Sequence, residues 1–218
     1  MSTFDQRQIL KMIKNLEKGF ARQSKIKKEP KEIKRPFNET IFILHISLSE
    51  SEPLIWRRIA VPDTITFEKL HNIIQVAFGW DNDHLFEFSH NTGVKIGRKD
   101  EYYDDIEPAR SKKLFEYLYS WRIFNYVYDF GDYWQLKIKV EKKLERDNNE
   151  KYPICLDGEM AGPPEDSGGI YGYYLKLETI KNPNDEEFEE INEWLGDDFD
   201  PNEFDKIFIN KRLSRFKV

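Results

Sequence analysis

The stretch Tyr126–Trp134 constrains the fold most, because it indicates two aromatic strands joined by a tight turn. Four of its nine residues are Tyr or Trp, one is Phe, and two carboxylates, Asp129 and Asp132, flank its only glycine. Aromatic residues favour strands, whereas Asp and Gly favour turns. We therefore predict a hairpin with strands over Phe124–Phe130 and Tyr133–Val140.

Two strands and a helix are predicted before this hairpin. Residues that are β-branched or aromatic favour strands over Thr40–Ser49 and Leu54–Val61, close enough in sequence to pair antiparallel. An apolar stripe predicts a helix over Phe67–Phe78, with Thr66 as its N-cap and Gly79 as its end. His71 lies next to the apolar stripe of that helix and is predicted to be only a residue at the boundary of the stripe.

The remaining chain indicates one more strand, a long loop and two more helices. His84–His90 alternates in the manner of a strand. Tyr152–Gly169 holds three prolines and four glycines and is predicted to be a loop. Helices are predicted over Ile170–Ile180 and Asp185–Leu195, the second capped by Asn184. Together these elements predict an α+β fold, mostly antiparallel sheet with helices packed on it.

The first 36 residues differ in charge from the rest of the chain. They hold eleven Lys or Arg and four Asp or Glu, and the net charge of −6 leaves −13 on the remaining residues. Apolar residues at helical spacing over 4–20, followed by a linker with two prolines, predict a basic helical arm over 1–36 and a single α+β domain over 37–218. The arm could be a solvated extension, contact a second copy, or bind nucleic acid.

The composition excludes several classes of protein. The sequence has no run of about 18 apolar residues, so no membrane span is predicted. It has no apolar leader region at its N-terminus. The single cysteine, Cys155, has no partner for an internal disulfide, which favours a cytoplasmic protein.

Four carboxylates are the candidate chemical groups. Asp129 and Asp132 lie in the hairpin turn, and Glu165 and Asp166 lie in a Pro–Gly stretch, residues 163–169, that we expect to meet the turn in space. Such acids could hold a hard cation together with a nearby His or Glu, or act as a general acid and base. They could instead cap turns and the following helix, or pair with the arginines at positions 57 and 58 in a polar cleft.

Short matches to known motifs do not withstand comparison with the full patterns. Asp129-Phe130-Gly131 matches the magnesium triplet of protein kinases, but no glycine-rich loop precedes it. The acidic run at 198–202 lacks the glycine and the final glutamate of a calcium loop. No phosphate-binding loop or Cys–His zinc spacing is present in the sequence.

Five stretches in a fixed order resemble a known family: Pro53–Arg58, Leu70–Trp80, His84–Phe88, Tyr126–Trp134 and Pro163–Gly169. Over about residues 39–215 the chain resembles the plasmid Ri open-reading-frame-three-like family, often labelled transposon passenger or resolvase-like proteins. The resemblance implies an α+β domain with a mostly antiparallel sheet, a link to mobile elements, and no established activity. Family members often have a second cysteine where Ser167 stands, so a paired-thiol role does not carry over. Ser2 and Ser24 lack the arginine surroundings of a serine recombinase, and the Arg-His-Arg set of a tyrosine recombinase is absent.

Two functional hypotheses remain. The favoured one is a non-catalytic binding module for a protein or nucleic acid, with an aromatic, acid-lined cleft, because Tyr and Trp anchor binding sites. The alternative is a metal-assisted hydrolase or nucleic-acid-processing enzyme that uses the clustered carboxylates. No cofactor is assigned beyond a divalent cation. The candidate cleft residues are Trp56, Arg57, Arg58, Trp80, His84, Glu87, Tyr128, Asp129, Asp132, Trp134, Glu165 and Asp166, and the candidate cation ligands are Asp129, Asp132, Glu165 and Asp166.

Overall fold

The computed structural model describes residues 39–98, 105–196 and 198–217. The predicted basic arm, residues 1–36, lies outside these ranges, so the helical extension and the domain boundary remain predictions. The strands are β1 (Thr40–Leu48), β2 (Trp56–Pro62), β3 (Phe86–Ser89), β4 (Lys95–Gly97), β5 (Glu107–Pro108), β6 (Ile123–Tyr128), β7 (Trp134–Glu145) and β8 (Ile154–Glu159). The helices are α1 (Phe67–Phe78), α2 (Phe115–Leu118), α3 (Gly169–Thr179), α4 (Phe188–Leu195) and α5 (Lys206–Leu213). Within the described ranges, no helix is both long enough and apolar enough to cross a bilayer.

The strands of the described residues form one mixed sheet in the order β5-β4-β3-β6-β7-β1-β2-β8. All neighbouring pairs are antiparallel except β4 and β5, which are parallel. Sheet and helices share a core rich in aromatic side chains. The predicted α+β class, with a mostly antiparallel sheet and helices packed on it, is therefore confirmed.

The β6–β7 hairpin forms where the aromatic stretch predicts it. Tyr128 pairs with Trp134 at the end of the ladder, and the N–H of Tyr133 donates to the carbonyl of Asp129 at 2.7 Å to close the turn. Asp129 (φ 55°) and Tyr133 (φ 57°) both adopt the left-handed backbone conformation. β7 continues beyond the predicted end at Val140, because β1 pairs with it as far as residue 145.

Helix α1 has the predicted bounds and caps. The Thr66 hydroxyl oxygen accepts a hydrogen bond from the N–H of Lys69, and Gly79 ends the helix with φ 82°. The apolar stripe is buried, as predicted. His71 is fully buried as well, so its prediction as a boundary residue was wrong. The sheet covers this side of the helix, where the His71 ring stacks on Phe86 with centroids 3.7 Å apart.

Three local predictions require correction. Tyr152–Gly169 contains strand β8, which forms because the edge of β2 offers partners that local sequence cannot reveal. The strand predicted over His84–His90 shortens to β3, with both histidines outside it. Helix α4 begins at Phe188 rather than Asp185, and Asn184 does not cap it: the N–H of Asn184 donates to the Asn182 side chain in a preceding turn.

Candidate functional site

The hairpin turn and the proline loop, Pro163–Gly169, meet in space, as the sequence predicts. The N–H of Gly168 donates to Asp132 Oδ2 at 3.1 Å. Gly169, at φ 68°, lies so close to the turn that a Cβ there would stand 2.5 Å from the backbone oxygen of Asp132. The absence of a side chain at residue 169 therefore allows the start of α3 to contact the hairpin.

Tyr128 connects three segments at this junction. Its hydroxyl donates to Glu165 Oε1 and accepts from the backbone N–H of Asp83 at 3.0 Å and of His84 at 3.3 Å. Glu165 Oε2 accepts from the N–H of Asp81 at 3.0 Å. Burial, and next the hydrogen bond to Glu165, raise the pKa of the Tyr128 hydroxyl above its ordinary value, so it stays protonated and donates. The loop before β3 is thereby fixed against the proline loop.

His84, Asp129 and Asp166 converge beside this junction. His84 Nδ1 lies 3.8 Å from Asp129 Oδ1, and His84 Nε2 lies 3.6 Å from Asp166 Oδ1. One ligand atom from each residue can be chosen so that all three lie within 4.8 Å of one another. Asp129 is buried, His84 is half-buried, and Asp166 is exposed, so the cluster opens to solvent on its Asp166 side.

The backbone around the cluster positions the two aspartates. Asp129 (φ 55°) and Asp166 (φ 58°) both occupy the left-handed region, which Asp tolerates better than most residues. Asp129 Oδ1 accepts the N–H of Gly131 at 2.9 Å, so the turn-capping role considered from the sequence is present at this residue. Each carboxylate oxygen has more than one lone pair, so acceptance of this N–H leaves Asp129 able to act as a ligand.

The other acidic candidates have different roles. Asp132 and Glu165 accept backbone N–H groups and hold the two loops together. Glu87 pairs with Lys95 at 2.9 Å on the neighbouring strand. Among the described residues no side chain caps α3, whose N-cap is Gly168, so the cap by Glu165 or Asp166 that the sequence left open is not formed.

The pairing of Arg57 and Arg58 with these acids, one alternative that the sequence left open, is not formed. Arg57 is buried and donates to three backbone carbonyls, those of Trp56, Ala77 and Glu159. Arg58 pairs with Glu141 at 2.7 Å and with Asp157 at 3.4 Å. Both arginines lie on β2, which the sheet order separates from the β6–β7 turn by β1.

The aromatic candidates support the site rather than line it. Trp80, Tyr128 and Trp134 are each at most 2% exposed, and Trp80 stacks on Tyr128 with ring centroids 5.1 Å apart. Trp56 lies elsewhere, stacked on His45 of β1. The exposed aromatic residues of this region are Phe130 and Tyr133, both in the hairpin turn. They were not among the candidates, although their place in a turn of a strongly aromatic hairpin is a visible signal.

A second polar group missed by the sequence analysis lies under α1. His71 Nδ1 and the Tyr126 hydroxyl are 2.7 Å apart, Gln75 Nε2 donates to the same hydroxyl at 2.9 Å, and His71 Nε2 contacts Asn82 Oδ1. With Nε2 donating to Asn82, Nδ1 accepts from Tyr126. Burial lowers the pKa of His71 to about 4, so its imidazole is neutral. This network anchors the Asn82 loop two residues before His84.

The donor set of the converging cluster fits a divalent cation. It offers one imidazole nitrogen and two carboxylate oxygens, a combination that suits Zn²⁺ or Mn²⁺ better than the all-oxygen preference of Mg²⁺ or Ca²⁺. Three protein ligands leave coordination positions for water or another group. The arrangement could therefore bind a cation and present it to a molecule outside.

Comparisons with known proteins agree on a family. Residues 40–207 match the family described as plasmid pRiA4b ORF-3-like protein. The chain is 37% identical over 156 residues to the uncharacterized protein y4hQ of Sinorhizobium fredii (strain NBRC 101917 / NGR234), an alignment covering 70% of this chain and 79% of that protein. It is also similar to the crystal structure of a protein of unknown function from Methanosarcina mazei Go1, with 42% identity and a TM-score of 0.72, covering 78% of this chain and 97% of that one.

Proposed function

This chain belongs to the plasmid pRiA4b ORF-3-like protein family, and we propose that it is a binding module built around a divalent cation held by His84, Asp129 and Asp166. The observation that carries the proposal is the convergence of these three side chains, with ligand atoms within 4.8 Å of one another. Two of the three are residues that the sequence marked as candidate cation ligands.

The charge balance of the cluster favours a cation. Two carboxylates lie on either side of one imidazole, and among the described residues neither carboxylate has a Lys or Arg within ion-pair distance. Asp129 is 8% exposed, and a buried carboxylate is costly unless it is paired or bound to metal. A divalent ion would neutralise both acids while His84 supplies a nitrogen ligand.

The surroundings of the cluster support binding rather than chemistry. Phe130 and Tyr133 expose aromatic surface in the same turn as Asp129, and exposed aromatic side chains commonly anchor partners. An anionic group of a protein or nucleic acid could complete the coordination of the cation while these rings contact the rest of the partner. This combines the acidic and aromatic features on which the binding hypothesis depends.

Metal-assisted hydrolysis is the second candidate, favoured by the exposure of Asp166. Its side chain is 77% exposed, so water can reach an ion held there, and a divalent cation with an open position lowers the pKa of bound water. Hydrolysis of bis(p-nitrophenyl) phosphate by the Mn²⁺- or Zn²⁺-loaded protein, abolished by Asp166→Asn, would select this candidate over the binding module.

Thermal unfolding of EDTA-treated protein tests the cation itself. Mn²⁺ or Zn²⁺ at about 100 times the dissociation constant should stabilise the fold by about 2.7 kcal/mol, a rise in Tm of roughly 5–10 °C. Mg²⁺ and Ca²⁺ should have a smaller effect. Asp166→Asn should remove the rise while keeping the left-handed backbone, which Asn also tolerates.

The matched control is Asp81→Asn. Asp81 is an exposed carboxylate in the neighbouring loop and is not one of the converging ligands. The Asp81→Asn variant loses the same charge near the site but keeps all three ligands, so the rise in its Tm on addition of cation should match that of the wild type. An equal loss in both variants would assign the effect to general electrostatics, and no rise with any cation in the wild type would sink the proposal.

A further inference from the structure

A cavity of about 340 Å³ lies between helix α3 and the loop that precedes β2. None of His84, Asp129 or Asp166 lines it. Its volume falls within the range of sites that hold small organic molecules, roughly 300–1,000 Å³. The cavity is therefore large enough for a small organic molecule and is separate from the cation cluster.

The walls of the cavity are mostly apolar. Helix α3 contributes Tyr173 and Leu177, the loop before β2 contributes Pro53 and Ile55, and Met160 follows β8. Ile55 and Tyr173 are each 1% exposed, so this part of the wall belongs to the folded core. An apolar body of a ligand would replace water along them, which is favourable in proportion to the area covered.

One polar group in this wall lacks a partner. Among the described residues, no hydrogen bond reaches the Tyr173 hydroxyl, although the residue is 1% exposed and lines the cavity. In these ranges the enclosed side-chain polar atoms without a partner are Gln75 Oε1 and Trp134 Nε1, so the Tyr173 oxygen is not itself enclosed and can reach an acceptor in the cavity. Burial, and next the neighbouring Tyr174, raise the pKa of this hydroxyl to about 12, so it keeps its proton and can donate to an acceptor inside the cavity.

The rim of the cavity disfavours an anion. It carries the carboxylates of Glu52 and Glu178, and Lys181 is paired with Glu178 at 2.6 Å. Tyr174 is engaged as well, because its hydroxyl accepts the N–H of Glu52 at 2.7 Å. The rim thus has a net negative charge, and a ligand carboxylate or phosphate would be repelled.

We propose that this cavity binds a small neutral organic molecule with an apolar body and one hydrogen-bond acceptor, such as a ketone carbonyl, which accepts from the Tyr173 hydroxyl. The apolar walls hold the body, the unpaired phenol fixes the acceptor, and the acidic rim excludes anionic analogues. This site is independent of the cation cluster, and its occupancy does not depend on metal.

Three probes of the same shape separate these contributions: acetophenone, ethylbenzene and benzoate. Titrations of the full chain, followed by protein NMR, should show acetophenone binding about three- to tenfold more tightly than ethylbenzene, as expected for one hydrogen bond. Benzoate should bind most weakly. Tyr173→Phe should reduce acetophenone to the level of ethylbenzene and leave ethylbenzene unchanged.

Tyr171→Phe is the matched control, because Tyr171 lies on the same helix and is 74% exposed. It undergoes the same chemical change outside the cavity lining and should bind all three probes as the wild type does. Leu177→Trp should fill the cavity and weaken the neutral probes together.

Three results would overturn the assignment. They are equal acetophenone affinity in wild type and Tyr173→Phe, benzoate as the tightest probe, or no binding of any probe by folded wild-type protein. If the wild type binds no probe but self-associates, and Leu177→Trp abolishes the self-association, the cavity is instead a contact site for a second copy of the chain. Circular dichroism of each variant separates loss of binding from loss of folding.

Discussion

The hydroxyl of Tyr128 donates to the carboxylate of Glu165, which joins the last residue of β6 to the proline loop. The same oxygen accepts the N–H of His84, and Asp166 follows Glu165 directly in the chain. One buried phenol therefore positions segments that carry two of the three converging side chains. Glu165, considered from the sequence as a cation ligand, instead acts through this contact.

Removal of either partner of this contact should destabilise the fold. Tyr128→Phe leaves Glu165 and two backbone N–H groups without their partner, and Glu165→Ala leaves the phenol and the N–H of Asp81 without theirs. Each change should cost about 1–3 kcal/mol, measured by urea denaturation. A double-mutant cycle should give a coupling of about 0.5–3 kcal/mol, and additive losses would show that the contact contributes little. Glu165→Gln keeps an acceptor and should lose less than Glu165→Ala.

His71 should make stability depend on pH in a defined window. Its pKa is lowered to about 4 in the folded chain, whereas an unfolded histidine titrates near 6.5. Between these values the unfolded chain binds a proton that the folded chain does not, so stability falls as pH decreases from about 6.5 to 4, by up to about 3 kcal/mol. Above pH 6.5 the contribution is complete, and below pH 4 no further loss comes from this group.

The measurement for His71 is urea denaturation at several pH values from 7.5 to 4, compared with His71→Gln. Glutamine offers an amide donor and acceptor but does not titrate, so the variant should lack the histidine part of the pH slope. Carboxylates also titrate in this window, and the difference between the two proteins cancels their effect. Identical pH slopes of stability in the two proteins would contradict the uptake of a proton by His71 on unfolding.

Gly169 should tolerate a side chain less well than Gly93, although both have positive φ. Alanine in the left-handed region costs about 1–2 kcal/mol at either position. A Cβ at Gly93 would meet open space, whereas one at Gly169 would meet the backbone oxygen of Asp132 at 2.5 Å. Gly169→Ala should therefore lose about 1–3 kcal/mol more than Gly93→Ala. Equal losses in thermal denaturation would mean that the hairpin and α3 separate without cost.

Cys155 should be inert in the folded protein. It is 1% exposed, and burial raises the pKa of its thiol to about 11, so few molecules carry the reactive thiolate at neutral pH. Iodoacetamide labelling at pH 8 should be at least about a hundredfold slower than in urea-unfolded protein. Adding denaturant should raise the rate along the unfolding curve. Rapid labelling of the folded chain would contradict the burial of this residue.

Local sequence was sufficient to predict those elements whose structure is determined by residues within a single segment. The β6–β7 ladder and its turn lie within seventeen residues, 123–139, and α1 carries its apolar stripe with Thr66 and Gly79 at its ends. The meeting of the hairpin turn and the proline loop was also predicted, from carboxylates on two turning backbones. The hairpin and α1 depend on neighbours along the chain, which a sequence displays directly, whereas the contact between the turn and the proline loop joins residues 36 positions apart.

The features that the sequence did not predict depend on contacts between residues far apart in the chain. β8 forms because β2 offers a free edge, and its pairing shifts register between Arg58 and Ile59, which no local pattern indicates. Arg57 is buried against Phe78 and Phe204, whose rings lie 5.1 Å and 5.0 Å from its guanidinium carbon. A charged residue in a strand cannot indicate such a partner. In the same way, the sequence offered four equivalent acids, and only backbone geometry brings Asp129 and Asp166 together with His84.

The position of β1 has a consequence for how the chain is made. β1 lies between β7 and β2, and its Thr40 pairs with Glu145. Most of the domain must therefore be synthesised before the edge of β1 that faces β7 is paired. Until then the β1–β2 hairpin exposes the backbone groups of an apolar strand to other nascent chains. Such distant pairing slows folding, and this interval should be the step at which chaperones most improve the yield of native protein.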